Sequence, residues 1–174
     1  TLCQNLGHII SGIKAITDVP VAVLTNGSLL WDREVRKELR DADLLVPSLD
    51  AGDSQLYHHI NRPCEGITFE QLVDGLIAFR QEFNKPVWLE VFLLAGVNSI
   101  DADVKRIASI SRKIKPDRVQ LNTVARPPAE DFAMAISEKQ MKKLVTLFDC
   151  HTEIVADYQK IHEATDVISS REDV

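Results

Sequence analysis

Apolar positions along the chain alternate between two periods. Leu6, Ile9, Ile10, Ile13 and Ile16 recur at helical spacing, and Val19 to Thr25 then gives a short apolar run that stops at Asn26-Gly27. The pattern predicts a helix, a buried strand and a turn. Asp32 to Arg40 is polar with Val35 and Leu39 one turn apart, and Leu44 to Ser48 is a second apolar run. Leu56 and Ile60 mark a short helix from Asp53 that breaks at Arg62-Pro63, since a residue before proline is driven out of helical geometry. Thr68 with Gln71 fits a capping box, and Leu72, Val73, Leu76, Phe79 and Phe83 form the apolar stripe of the longer helix behind it. Pro86 to Leu94 is the strongest strand, closed by Gly96-Val97-Asn98. Val104, Ile107 and Ile114 predict the next helix, and Arg118 to Asn122 the next strand. Ser137 with Gln140 predicts a capped helix that buries Met141, Leu144, Val145 and Phe148, and Thr152 to Val155 a last short strand.

Helices alternating with strands in this way imply an α/β fold, a parallel sheet with helices packed outside it. The sheet is either open and doubly wound or closed into a full or partial barrel. Residues 1–174 read as one domain, with 156–174 a weakly patterned tail or linker. The alternation opens on a helix, so at least one strand is expected upstream of Thr1.

Composition narrows the function. With 174 residues and 45% hydrophobic content the chain can bury one sizeable core. A net charge of -6, with both signs mixed along the chain, disfavours wrapping nucleic acid by phosphate neutralisation. No apolar run is long enough to span a bilayer and no secretory signal is present, so a cytoplasmic, membrane-free protein is expected. Cys3, Cys64 and Cys150 are far apart and lie outside any metal-binding spacing, which leaves them as packing or surface residues. His8, His58 and His59 sit on amphipathic or polar helices and read as solvated.

Side chains on a strand alternate between faces, and one phase of each strand turns polar near its end. Asn26 is in phase with Leu24, Ser48 and Asp50 with Val46, Glu90 with Trp88 and Phe92, and Gln120 with Asn122. If these phases share a face, a polar lumen forms at the C-terminal ends of the strands, where α/β folds bind ligands. Glu90, set among Val87-Trp88-Leu89 and Val91-Phe92-Leu93, requires a strong donor, supplied either by a neighbouring strand or by a ligand. Asp50 is alternatively a cap for the helix near Asp53, and Ser48 a turn residue. Arg62 and Arg126, each beside proline, are candidates to hold a substrate carboxylate or phosphate at the lumen mouth, or to form surface salt bridges.

The strings Leu24-Thr-Asn-Gly-Ser28, Pro47-Ser-Leu-Asp-Ala51, Ile60-Asn-Arg-Pro63, Leu89-Glu-Val91 and Gln120-Leu-Asn-Thr123, in this order, resemble the third to sixth strands of radical S-adenosylmethionine (SAM) enzymes. The branch resembled is the Fe-S oxidoreductases similar to wyosine-type tRNA-modifying enzymes and, more distantly, to glycyl-radical activating enzymes. The resemblance implies the C-terminal part of a partial (β/α)6 TIM-like barrel. In that superfamily a Cys-x3-Cys-x2-Cys loop holds a [4Fe-4S] cluster, and a reductant such as flavodoxin or ferredoxin drives cleavage of SAM to a 5′-deoxyadenosyl radical. It implies SAM contacts at Asn26, Ser48, Asp50, Glu90, Asn122 and Thr123. The cysteine loop and the Gly-Gly-Glu-type motif are not in this sequence, so the chain by itself is expected to be an inactive, N-terminally truncated piece, with Thr1-Leu2 just after that motif. The substrate is left open between a tRNA base, a protein glycyl-radical partner and a small nucleotide. Truncation also predicts self-association through an exposed edge. Two other readings stand beside this one. A flavodoxin-like binding module without catalysis is weakened by the lack of GxGxxG and GxxxxGK[ST] loops. An aldolase-like barrel would need a lysine at a strand end, and none of the predicted strands ends in one.

Overall fold

Ala22–Thr25 (β1) pairs in parallel with Leu44–Pro47 (β2), Ala22 opposite Leu44 and Thr25 opposite Pro47. Bridges from Leu45 to Val87 and from Ser48 to Glu90 carry the pairing on to Trp88–Phe92 (β3). Trp88 lies opposite Arg118 and Phe92 opposite Asn122 of Arg118–Asn122 (β4), and Gln120 lies opposite Glu153 of Thr152–Ile154 (β5). The strands are thus parallel and adjacent in sequence order, which suits short helical crossovers. This computed structural model describes residues 5–126, 128–130 and 132–158. The expectations for Thr1-Leu2, Cys3, Pro127 and the end of the tail fall outside them.

The crossovers are Leu6–Ile16 (α1) before β1, Arg33–Leu39 (α2), Ser54–Asn61 (α3), Phe69–Glu82 (α4), Asp101–Ile114 (α5) and Glu138–Val145 (α6). Their ends follow local chemistry. Thr68 and Gln71 form the full capping box of α4, and Asp53 caps α3 by accepting from the Leu56 N–H at 2.9 Å. Ser137 caps α6 through the Gln140 N–H, but the Gln140 amide reaches Ser99 O instead of returning to the cap. β1 begins three residues later than its apolar run, because Pro20 has no N–H and Val21 donates to the Asp43 side chain at 2.9 Å.

One phase of the sheet is core. Leu89 and Val91 of β3 and Val119 and Leu121 of β4 are fully buried against Leu72, Leu76 and Phe79 of α4, Val104, Ile107 and Ile114 of α5, and Met141 and Leu144 of α6. Each such side chain contributes roughly 1.5–3 kcal/mol by leaving water. α4 comes so near the Leu30-Trp31 backbone that a Cβ on Gly75 would lie 2.4 Å from Trp31 N, so only glycine fits there. The opposite phase, Trp88, Glu90 and Phe92 with Arg118, Gln120 and Asn122, is half-exposed. The architecture is the expected α/β one, a parallel sheet with one face under helices and the other turned to the candidate site. No described helix is long and apolar enough to cross a membrane.

Candidate functional site

The strand register decides which polar side chains meet. Ser48 is bridged to Glu90, Glu90 is opposite Gln120, and Gln120 is opposite Glu153. Asn26 stands one residue beyond Thr25, whose carbonyl receives the Ser48 N–H. The result is a polar row across the sheet, Asn26, Ser48, Glu90, Gln120 and Glu153. Asp50, Phe92 and Asn122 continue the same phase toward the strand ends, and Trp88 and Arg118 precede it.

Asp50 is the buried carboxyl of the site. It does not cap α3, a role taken by Asp53. Instead it accepts from the Phe92 N–H at 2.9 Å and from Asn61 Nδ2 at 2.8 Å. Burial, with a smaller contribution from nearby Glu90, raises its pKa from 3.8 to about 6 against those two hydrogen bonds. The other oxygen of that amide, Asn61 Oδ1, is buried without any hydrogen-bond partner. Asn98, fully buried, holds the backbone around the carboxyl: Nδ2 donates to Asp50 O and Phe92 O, and Oδ1 accepts from the Leu94 N–H. Glu90 receives its donor from the adjacent strand, Asn122 Nδ2 at 2.9 Å on Oε1. Further along β4 and β5, Glu153 Oε1 accepts from Arg118 and from Gln120, both at 2.8 Å, and these donors hold its carboxyl below the usual range. The Arg118 guanidinium lies over the Trp88 ring, 4.4 Å from its centroid.

Two segments close over the strand ends. The chain leaves α3 through Arg62, whose backbone is left-handed with φ 45°. The β4–α6 connection crosses to meet it, pairing Arg62 with Glu130 at 2.8 Å and stacking His59 on Phe132. Thr123 anchors that connection: its hydroxyl donates to Leu93 O at 2.7 Å and accepts from the Ile136 N–H. A cavity of about 430 Å³ results, lined among others by Ser48, Asp50, Asn61, Arg62, Glu90 and Phe92. A second of about 350 Å³ adjoins it, sharing Phe92 and Ala133 and reaching Asn122, Thr123 and Arg126.

Most residues singled out in the sequence are therefore brought to one region. Ser48, Asp50 and Glu90 share the larger cavity with Arg62, and Asn122, Thr123 and Arg126 share the smaller. Asn26 lies on the same face of the sheet, its Oδ1 taken by the backbone and hydroxyl of Ser28. Sequence reasoning passed over Asn61, Asn98 and the Trp88-Arg118-Glu153 group. Asn61 stood within the Ile60-Asn-Arg-Pro63 string, but only the fold sets its amide against Asp50. Arg118 and Glu153 share a phase with Gln120 that could be read only once the strands were paired.

Among the described residues no three His, Cys, Asp or Glu side chains are grouped to hold a metal ion, so these residues do not fit an iron-sulfur cluster. They do fit SAM in chemical type. The cavity offers carboxylate, amide and hydroxyl acceptors and one orphaned buried oxygen, and SAM is a sulfonium cation carrying amino and hydroxyl donors.

No protein-family model matches the chain. Among solved structures it is similar to a domain of pyruvate-formate lyase-activating enzyme from Bacteroides vulgatus, with TM-score 0.66 and 19% identity over 88% of this chain and 95% of that one. A radical SAM methyltransferase from Sphaerobacter thermophilus gives TM-score 0.64 at 20% identity over 78% of this chain and 40% of the other. SuiB of Streptococcus suis, bound to SAM, gives 0.60 at 12% over 87% and 36%. The fold is thus the partial TIM-like one of radical SAM enzymes. Among curated proteins, 163 residues are 42% identical to a GTPase Obg of Brachyspira hyodysenteriae, covering 94% of this chain and 24% of that protein. A UPF0026 protein of Synechocystis is 39% identical over 127 residues, covering 73% of this chain and 47% of that one. One of Methanocaldococcus jannaschii is 27% identical over 149, covering 86% and 46%. The chain spans from a quarter to about half the length of these curated relatives.

Proposed function

We propose that this chain is the SAM-binding part of a radical SAM Fe-S oxidoreductase, whose cluster ligands lie in another part of the protein. The observation that carries the reading is the acceptor-lined cavity at the C-terminal strand ends, where Ser48, Asp50, Asn61 and Glu90 converge on a radical SAM fold. Bound there, SAM would supply a 5′-deoxyadenosyl group for hydrogen abstraction, with electrons from a reductant such as flavodoxin or ferredoxin. The chain's own residues bind and orient. Ser48 and Glu90 present oxygens to hydroxyl and amino donors, Asn61 Oδ1 waits for a donor, and Asn98 fixes the backbone that aims Asp50. Arg62, Glu130, His59 and Phe132 tie the covering segments together and limit water at the mouth. Two features weigh against other chemistries. None of the described residues lining either cavity is a lysine, as Schiff-base chemistry would want, and the sequence lacks the GxxxxGK[ST] loop by which P-loop GTPases cradle phosphates.

The test uses the full-length protein, reconstituted anaerobically with iron and sulfide and supplied with SAM and reductant. Mass detection of 5′-deoxyadenosine is the expected result. Glu90→Gln should weaken SAM binding by about tenfold, the scale of one lost charge-assisted hydrogen bond. A protein that assembles its cluster yet neither binds SAM nor releases 5′-deoxyadenosine would overturn the reading.

A further inference from the structure

The two adjoining cavities carry opposite charge. The larger is lined by three carboxyl groups, Asp50, Glu90 and Glu130, against the guanidinium of Arg62, which is itself paired with Glu130 at 2.8 Å. The smaller has Arg126 as the one charged side chain among its described lining residues, and Phe92, Val124, Ala125 and Pro128 give it apolar walls. Its other polar groups are spent within the fold. Asn122 Nδ2 donates to Glu90, Asn122 Oδ1 accepts from the Thr123 N–H, and the Thr123 hydroxyl is bonded to Leu93 O and the Ile136 N–H. Arg126 makes neither a hydrogen bond nor an ion pair among the described residues. Of the two arginines that the sequence offered for an anion, Arg62 is therefore taken by Glu130, and Arg126 is left uncommitted at a cavity wall.

We infer that the smaller cavity takes the substrate, a small molecule with an apolar body and a carboxylate or phosphate group, and that Arg126 binds this oxyanion. A guanidinium presents its donors in a planar fork that matches two oxygens of either group. A cavity of about 350 Å³ is of the size that holds a small molecule, and in such sites a few polar groups among apolar walls set the ligand's orientation. Charge sorts the two occupants. The sulfonium cation of SAM is favoured on the side lined by carboxyl groups, and an anion on the side where no described carboxylate lines the wall. Phe92 and Ala133, shared by both cavities, mark where the two molecules meet. The inference rests on the proposed function in naming SAM and substrate as the occupants; the anion site itself stands on Arg126 and the cavity.

Phenyl phosphate and benzoate serve as probes, with benzamide and benzylamine as neutral and cationic controls of similar shape. In calorimetric titrations of the full-length protein at least one of the anions should bind saturably and neither control should; the tighter anion identifies the oxyanion. Arg126→Gln should weaken that anion about tenfold. Arg126→Lys, which keeps the charge and loses the fork, should weaken it only severalfold. Because Arg126 has no partner within the described fold, both variants should melt with the parent, and the melts separate a lost contact from a lost fold. Saturating SAM should not displace the anion. Displacement would assign Arg126 to the carboxylate of SAM and overturn the inference, as would binding of neither anion, equal binding of either control, or undiminished binding by Arg126→Gln. SAM binding without anion binding sinks this inference alone. Anion binding that depends on Arg126, in a protein that does not bind SAM, sinks the proposed function alone.

Discussion

Asp50 shows how one buried group is tuned by its surroundings. Its carboxyl, raised from 3.8 to about 6 chiefly by burial, holds in the folded state a proton that the unfolded chain has already released. Its contribution to stability is therefore fully present below about pH 3.8 and is lost as pH rises to about 6. The loss is on the order of 3 kcal/mol, from a shift of roughly two units at 1.36 kcal/mol each. Asp50→Asn should flatten this slope. The new amide oxygen can still accept from the Phe92 N–H, and its NH2 can donate to Asn61 Oδ1 once the Asn61 amide turns over, so the pair stays hydrogen-bonded while the buried charge is removed. Melting temperatures across pH 4 to 7.5 should show the variant above the parent at neutral pH and the two converging toward pH 4; parallel curves would refute this assignment. Legibility at this scale was uneven. Glu90 was conspicuous because a carboxylate among apolar neighbours needs a donor, and that donor proved to be Asn122. Asp50 looked as much like a cap as a site residue, because the contacts that separate the two roles come from Phe92 and Asn61, distant in sequence.

Helix ends and strand phases depend on neighbours within a few residues, and they were read well. The Thr68-Gln71 capping box satisfies two backbone donors at the start of α4. Thr68→Ala should cost about 1 kcal/mol, read as a lower urea midpoint with an unchanged slope. Tertiary partners also compete for side chains that a local reading assigns to nearby backbone or to a ligand. Gln140 carries the capping-box residue type, but its amide finds Ser99 O, so only half the box forms. Thr123, placed by resemblance among SAM contacts, has its hydroxyl engaged by Leu93 O and Ile136 N within the fold. Thr123→Val keeps the shape and removes both bonds. It should cost on the order of 1–3 kcal/mol and speed hydrogen exchange at the Ile136 amide, which a residue serving only as a ligand contact would leave unchanged.

Across the whole molecule, the two faces of the sheet divide the labour, one filled by helices and the other left to the polar row and its cavities. Among the described residues β1 has a strand partner on one side only, and Leu24 upon it is 71% exposed, as are Ile16 at 84% and Val19 at 67% just before it. Apolar residues at an open strand edge invite pairing with another chain. We expect this chain to associate with rising concentration in sedimentation, and Leu24→Lys with Ile16→Lys to shift it toward monomer; a parent monomeric at high concentration would remove that expectation. The amino-acid sequence by itself determined the α/β class, the order of helices and strands, the caps of α4 and α6, and which phase of each strand is polar. All of these follow from periodicity and from hydrogen bonds spanning a few residues. Only the tertiary structure decided that Ser48, Glu90, Gln120 and Glu153 stand in one row, that Asn61 faces Asp50, and that the segment after Thr123 closes over them. Those placements depend on strand register, and register is fixed by packing between segments tens of residues apart rather than by any local preference.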